Sequence, residues 1–284
     1  MICLVLACAI AFGSGGILGK KLALKGITSD NALNNYQTPL VWLLLAVVPG
    51  LGFLIVLDKF DLFPLLPKIF PPIVLIYLAG YFNQIIVGLG CFFLGLLIFL
   101  ELSGRRSPGK TTQLLVAMSA ISLALSILIY LLQPVDVAQP KTINGIVMQT
   151  TPYTCAPSSI ATLGRYIQKY PNLTEAEVVK LTKTNRFGTT TLGEIRAMNQ
   201  LDLFPRYRHN LTIEDLMKLR RPALMHVKEK RKTGKGVRFS HAVAYLGVDP
   251  VRKVILIGNP LYGLQVKTFE DLRKYWFGEA ITIN

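Results

Sequence analysis

Four residues of this chain, in the order Gln149, Cys155, His241, Asn259, have the side chains that thiol-based acyl chemistry uses. Such chemistry needs a thiol nucleophile, an imidazole to take its proton, a group that orients the imidazole and a donor for the oxyanion that forms on attack. Cys155 is the one cysteine outside the apolar N-terminal half; the others are Cys3, Cys8 and Cys91. It stands where a loop turns into a helix. Pro157 is tolerated only in a first helical turn, where its missing N–H costs nothing, and Ile160, Leu163, Tyr166 and Ile167 then recur at helical spacing. A thiol at a helix N-terminus meets unpaired N–H groups and the positive end of the macrodipole, so the expectation is a lowered thiol pKa. Gln149, six residues upstream, carries an amide able to donate to the oxyanion. The competing interpretation is a buried structural cysteine beside a surface glutamine.

The chain has three histidines. His209 follows Arg206-Tyr207-Arg208 and reads as surface; His226 lies inside a strand pattern and reads as core. His241 begins a strand after a Gly-rich loop, and Asn259 ends the strand that returns from the turn at Asp249-Pro250. In a hairpin, the start of one strand and the end of the next are neighbours, so topology brings His241 and Asn259 together as base and orienter. A zinc site built on the histidines is the alternative; their spacing fits it poorly, and no metal or cofactor is expected.

Helices come first in this half and strands after. Thr174 with Glu177, Thr191 with Glu194, and Thr212 with Asp215 read as three capping boxes. Strands are expected over residues 222–227, 241–248, 253–258, 264–266 and 280–283, with a helix over 269–276. Helices followed by an antiparallel sheet make an α+β pattern.

Residues 1–133 are different in kind. The mean hydropathy of +0.44 exceeds that of an ordinary soluble chain, and the apolar excess sits in this half. Apolar runs at 1–18, 40–57, 73–100 and 114–132 predict about four transmembrane spans, hence a lipid bilayer as partner. The first and third loops carry Lys20, Lys21, Lys25, Arg105, Arg106 and Lys110, against Lys59 and Lys68 in the second. The positive-inside rule then places the chain beyond the fourth span on the non-cytoplasmic side. Gly104 to Thr111 satisfies the P-loop pattern by letter, but joins two apolar spans and reads as a basic turn. The expected organisation is a transmembrane region over 1–133, a Pro-marked linker over 134–142 and a globular domain over 143–284. Residues 137–284 hold 23 Lys and Arg against 11 Asp and Glu, which is +12 of the total of +15. With no nucleic-acid motif, that charge suits anionic headgroups or acidic peptides. The basic run 228–238 reads as a solvated loop, or as a flap gathering acidic substrate.

The order Gln149, Cys155, His241, Asn259, the segment Ser240-His241-Ala242-Val243-Ala244-Tyr245-Leu246-Gly247-Val248-Asp249, Gly258-Asn259-Pro260, and the closing Leu272-Arg273-Lys274-Tyr275-Trp276 resemble the C39 peptidases. These are papain-like cysteine peptidases that process double-glycine leaders. The resemblance spans roughly residues 143–284. It implies an α+β papain-like domain with Cys155 as nucleophile, His241 as general base, Asn259 as orienter and Gln149 as oxyanion donor, acting on a peptide or protein substrate. It also implies a bacterial inner-membrane setting. The family usually has Asp where this chain has Asn259, and Gly where it has Ala156. Two other functions use the same features: an acyl or amide transferase working through the same thioester, and an inactive peptide-binding or regulatory module.

Overall fold

The computed structural model describes residues 2–27, 71–103, 132–139, 141–219, 221–230 and 238–283. The chain divides into two compact units, Met1–Ile129 and Tyr130–Asn284.

Within the first unit, α1 (Ile2–Leu24) packs against α2 (Pro72–Ser103). The approach is close because glycines line it. A Cβ on Gly15 would run into the carbonyl oxygen of Phe92, one on Gly19 into that of Leu96, and one on Gly95 into that of Phe12. Small residues four apart let two apolar helices meet backbone to backbone, which is how helices associate where no water drives burial. Leu22, Ile27, Leu96 and Leu100 close one end of the contact. Among the described residues, Leu6–Leu24 is the one stretch long and apolar enough to cross a membrane, and Val87–Leu100 is a shorter apolar stretch. The spans expected over 40–57 and 114–132 lie outside the described residues, as do the P-loop look-alike and residues 231–237 of the basic run. The Cys8 and Cys91 thiols come near each other across the α1–α2 contact. Oxidation by copper phenanthroline should therefore couple the two thiols into one disulfide-linked peptide pair detectable by mass spectrometry, and Cys8→Ser should prevent it. Recovery of both thiols unlinked would mean that the helices do not meet this way.

The second unit has the α+β architecture expected of it. A short antiparallel hairpin, β1 (Lys141–Ile143) and β2 (Ile146–Met148), leads into α3 (Cys155–Tyr166), α4 (Glu175–Thr182) and α5 (Thr191–Gln200). There follow β3 (Arg206–Arg208), α6 (Ile213–Lys218), β4 (Ala223–Lys230), β5 (Arg238–Asp249), β6 (Val254–Asn259), β7 (Gly263–Thr268), α7 (Phe269–Tyr275) and β8 (Trp276–Thr282). The strands β3 to β8 make one antiparallel sheet in the order β3-β8-β4-β5-β6-β7. Alternation along the strands sorts their side chains to two faces. Leu224, Ala242, Ala244 and Ile281 meet Ile160 and Leu163 of α3 on one face, while Met225, Val243, Tyr245 and Ile257 meet Leu272 and Tyr275 of α7 on the other.

Two of the three expected capping boxes form, with Thr174 and Glu177 opening α4 and Thr212 and Asp215 opening α6. The middle one does not. Thr190 rather than Thr191 is the N-cap of α5, accepting from the Gly193 N–H, and Glu194 turns inward to His226. A half-buried imidazolium is a stronger partner for that carboxylate than a solvent-exposed backbone N–H.

Candidate active site

Helix α3 begins at Cys155. Its N-cap, Thr154, makes no side-chain bond to the helix; the Thr154 hydroxyl donates instead to Thr151 O, tightening the turn that delivers the cysteine. The first helical turn closes through Ser158 N–H to Thr154 O, and Pro157 occupies a position in that turn where no N–H is required. Ser159, one turn on, donates its hydroxyl to Ala242 O at 3.0 Å, which ties the helix to β5 beside His241. Thr162, another turn on, accepts from the Val147 N–H at 3.0 Å, which ties the helix to the strand leading to Gln149. The Gln149 N–H in turn donates to Pro260 O at 3.0 Å, next to Asn259. Three hydrogen bonds thus gather the segments carrying all four predicted residues.

The ladder between β5 and β6 ends at Ala244 and Gly258. His241 and Asn259 lie beyond that last pair, where the two strands part, and their side chains meet there. His241 Nε2 is 3.1 Å from Asn259 Oδ1. An amide oxygen carries no hydrogen, so Nε2 donates; in the neutral ring Nδ1 is then the bare, basic nitrogen. Phe239 packs edge-on to the imidazole, with ring centroids 5.6 Å apart. His241 is only 4% exposed, and burial moves its pKa below the ordinary histidine value, against the opposing pull of Asn259 and Glu229.

The backbone N–H of Ala242, the residue after His241, lies on the Cys155 sulfur side and favours its thiolate. The thiol pKa is not lowered, contrary to the expectation from its place at a helix start. Burial pushes it up to about 11, and the Glu194 carboxylate adds to the rise, while backbone N–H groups of Ala242, Ala156 and Cys155 only partly offset it. Cys155 keeps partial exposure at the surface, but the depth of protein around its sulfur outweighs the helix-end field. Burial thus acts on both groups in the same sense, favouring the neutral thiol of Cys155 and the neutral imidazole of His241.

Gln149 is placed by its backbone at this junction, and its amide is held by its own turn: Nε2 donates to Thr151 O at 2.7 Å, and the buried Oε1 has no partner among the described residues. One amide hydrogen is engaged in this way and the other is not assigned to any described acceptor.

Three carboxylates in this unit have buried roles that were not predicted. Glu229, 7% exposed, accepts from Asn259 Nδ2 at 2.8 Å and from the Tyr275 hydroxyl at 2.9 Å through one oxygen, and from the Lys230 N–H at 3.0 Å through the other. Its sequence signal was a lone acid in a run otherwise basic, at the strand position in phase with buried Met225 and Val227. Glu194 lies 2.9 Å from His226 Nε2, and Glu279 3.5 Å from His226 Nδ1. His226 is therefore not a plain core residue. Burial disfavours its charge, but the two carboxylates outweigh that and raise its pKa to about 10, so it is an imidazolium at neutral pH. His209 stacks on Tyr207 with ring centroids 6.3 Å apart. No cluster of side chains among the described residues could hold a metal ion.

No family model matches this chain, and no curated protein matches it. Solved structures resemble it over about half its length. The peptidase domain of Streptococcus ComA, a bi-functional ABC transporter involved in a quorum sensing pathway, is 25% identical; 47% of this chain and 93% of that domain align, with a TM-score of 0.40. A double glycine motif protease from an AMS/PCAT transporter, solved in complex with its leader peptide, is 21% identical, with 52% and 94% covered and a TM-score of 0.40. The peptidase domain of Streptococcus mutans ComA is 25% identical, with 49% and 98% covered and a TM-score of 0.37.

Proposed function

We propose that residues 143–284 form a cysteine peptidase domain that cleaves a peptide or protein substrate through a thioester. The observation that carries this reading is the 3.1 Å bond from His241 to Asn259, which leaves Nδ1 bare on the residue next to Ala242, whose N–H favours the Cys155 thiolate. His241 Nδ1 takes the thiol proton as Sγ bonds to the scissile carbonyl carbon, and the carbonyl π electrons move to oxygen. The free amide hydrogen of Gln149 and the Cys155 backbone N–H hold that oxyanion. Its collapse breaks the C–N bond, the imidazolium returns its proton to the leaving amine, and the acyl group stays on sulfur as a thioester. Water, deprotonated by the same imidazole, then releases the acid and regenerates the thiol. Asn259 keeps the imidazole in the reactive tautomer throughout.

In the same proposal the apolar N-terminal region anchors the domain in a bacterial inner membrane through about four spans. The excess of basic residues in the first and third loops supports a domain on the non-cytoplasmic side. The sequence resemblance to double-glycine leader peptidases supports a small-residue cleavage site, so a suitable probe is a fluorogenic peptide amide ending in Gly-Gly.

The test uses the full chain in detergent. Wild-type protein should cleave the probe, Cys155→Ala should not, and Gln149→Ala should turn over roughly a hundredfold or more slowly, the usual effect of losing one oxyanion donor of ~3 kcal/mol. Unchanged turnover in Gln149→Ala would remove Gln149 from the site. Formation of a thioester that passes only to an added amine, and not to water, would identify a transferase instead. A folded wild type inert toward both the probe and iodoacetamide would leave the binding-module reading.

A further inference from the structure

Asn259 is an uncharged orienter, and an amide can turn end for end about its last torsion, presenting either oxygen or nitrogen to the imidazole. Only one of the two orientations is useful, because an NH2 facing His241 would take Nε2 as acceptor and place the ring hydrogen on Nδ1, where the base must be bare. The neighbours of Asn259 decide between them. Oδ1 accepts from the Leu261 N–H at 2.9 Å as well as from His241. Nδ2 donates to Glu229 Oε2 at 2.8 Å and to Gln265 Oε1 at 3.2 Å. Turning the amide over would set its NH2 against the Leu261 N–H and its oxygen against a carboxylate. Asn259 is fully buried, so water cannot relieve either conflict.

We propose that Glu229 is the positioning residue of this site: its buried carboxylate, standing behind Asn259, fixes the amide in the orientation that gives His241 its reactive tautomer. The inference rests on the peptidase reading for its effect on turnover, but not for its effect on His241. Glu229 is itself held by three donors, Asn259, Tyr275 and the Lys230 N–H. The triad thus has a fourth member one step out, and the negative charge sits one residue removed from the imidazole. The other titratable groups around it are Tyr275, Tyr262 in the β6–β7 turn, Cys155, and Lys267, whose ammonium lies 4.2 Å from the centre of the Tyr275 ring.

The test is a charge relocation. In Glu229→Gln, one end of the new amide must confront a donor: its NH2 faces either the Lys230 N–H or the Asn259 NH2. In Asn259→Asp, two carboxylates face each other at hydrogen-bond distance. Each single variant should lose roughly 10- to 100-fold in turnover. In the double variant the bond between positions 229 and 259 can reform with its direction reversed, the Tyr275 hydroxyl then accepting where it donated to the carboxylate. The amide introduced at position 229 accepts from the Lys230 N–H and donates to the carboxylate introduced at position 259, which accepts from His241. The double variant should recover to within about tenfold of wild type. A merely structural role would not move the histidine. The three histidines can be followed in the full chain by selective 13C labelling. His241 should titrate lower in Glu229→Gln, which removes a nearby negative charge, and higher in the double variant, which brings that charge against the ring. Tyr275→Phe, which deletes one donor to Glu229 and keeps the charge, should give a smaller loss and serves if the other singles do not fold. A double variant no better than Asn259→Asp, or a His241 titration that Glu229→Gln and Tyr275→Phe leave unmoved, would overturn the proposal. Absence of any peptide cleavage by wild type would count against the peptidase reading alone, because the His241 titration still decides this one.

Discussion

Replacing His241 with Ala should lower turnover of the Gly-Gly probe by on the order of 10^4-fold and change the shape of its pH profile. The magnitude follows from removing the only base that serves both the thiol and the leaving amine. The shape follows from the two shifts. Burial holds the His241 pKa below the ordinary value of ~6.5. Wild type should therefore stay active to lower pH than an ordinary histidine base would permit, losing activity only as the ring is finally protonated. The thiol, raised to about 11, does not ionise by itself near neutrality. Proton transfer to the imidazole accompanies attack, so the profile should be a broad plateau between the two limits. Without the imidazole only spontaneous thiolate reacts, so the residual rate in His241→Ala should climb roughly tenfold per pH unit toward 11. Iodoacetamide alkylation of Cys155 in that variant should follow the same line. A wild-type thiol that is alkylated rapidly at pH 5 would show a resting ion pair instead and refute the neutral-pair description.

Glu194→Ala should destabilise the second unit by up to about 3–5 kcal/mol, the usual penalty for breaking a buried pair, because only Glu279, 3.5 Å away, then remains to balance the imidazolium. At about 2–4 °C per kcal/mol for a domain of this size, the thermal midpoint should fall by on the order of 10 °C. The pH dependence distinguishes this from simple loss of packing. His226 has a folded pKa of about 10, above its unfolded value of ~6.5, so its ion pairs stabilise fully below pH 6.5 and their contribution is lost as pH rises toward 10. His241, with a depressed folded pKa, acts oppositely and removes stability as pH falls below ~6.5. Wild type should thus be most stable near neutrality, and Glu194→Ala should flatten the alkaline side only. An alkaline limb equally steep in both proteins would show that Glu194 does not hold the imidazolium. The variant should also ionise Cys155 at lower pH, because Glu194 opposes the thiolate.

Much of this site could be read from local sequence. The helix behind Cys155 was marked by Pro157 and by apolar spacing, and the meeting of His241 with Asn259 by a hairpin turning at Asp249. What local sequence could not reveal was depth. A helix N-terminus lowers a thiol pKa only when solvent is near enough to share the work, and nothing around Cys155 in the sequence told how much protein would stand over it. Long-range partners were hidden for the same reason. Glu194 read as a cap because its nearest suitable neighbour in sequence was a threonine, while its actual partner is His226, 32 residues away on another element. Glu229 looked like part of a solvated basic run until the register of β4 turned it inward beneath Asn259.

The strand order also sets a schedule. Strand β8 follows every other strand in sequence, yet it lies inside the sheet, between β3 and β4. Until residues 276–282 have been made, β4 lacks one neighbour, and with it the support on which Glu229, His241 and Asn259 depend. Cys155 is synthesised more than 80 residues before the base that would activate it. During synthesis, therefore, the thiol keeps the ordinary pKa of an exposed cysteine, and on the proposed reading competence arrives as the sheet closes over it. A nascent chain halted before Trp276 should hold every residue of the constellation and none of the proposed peptidase activity.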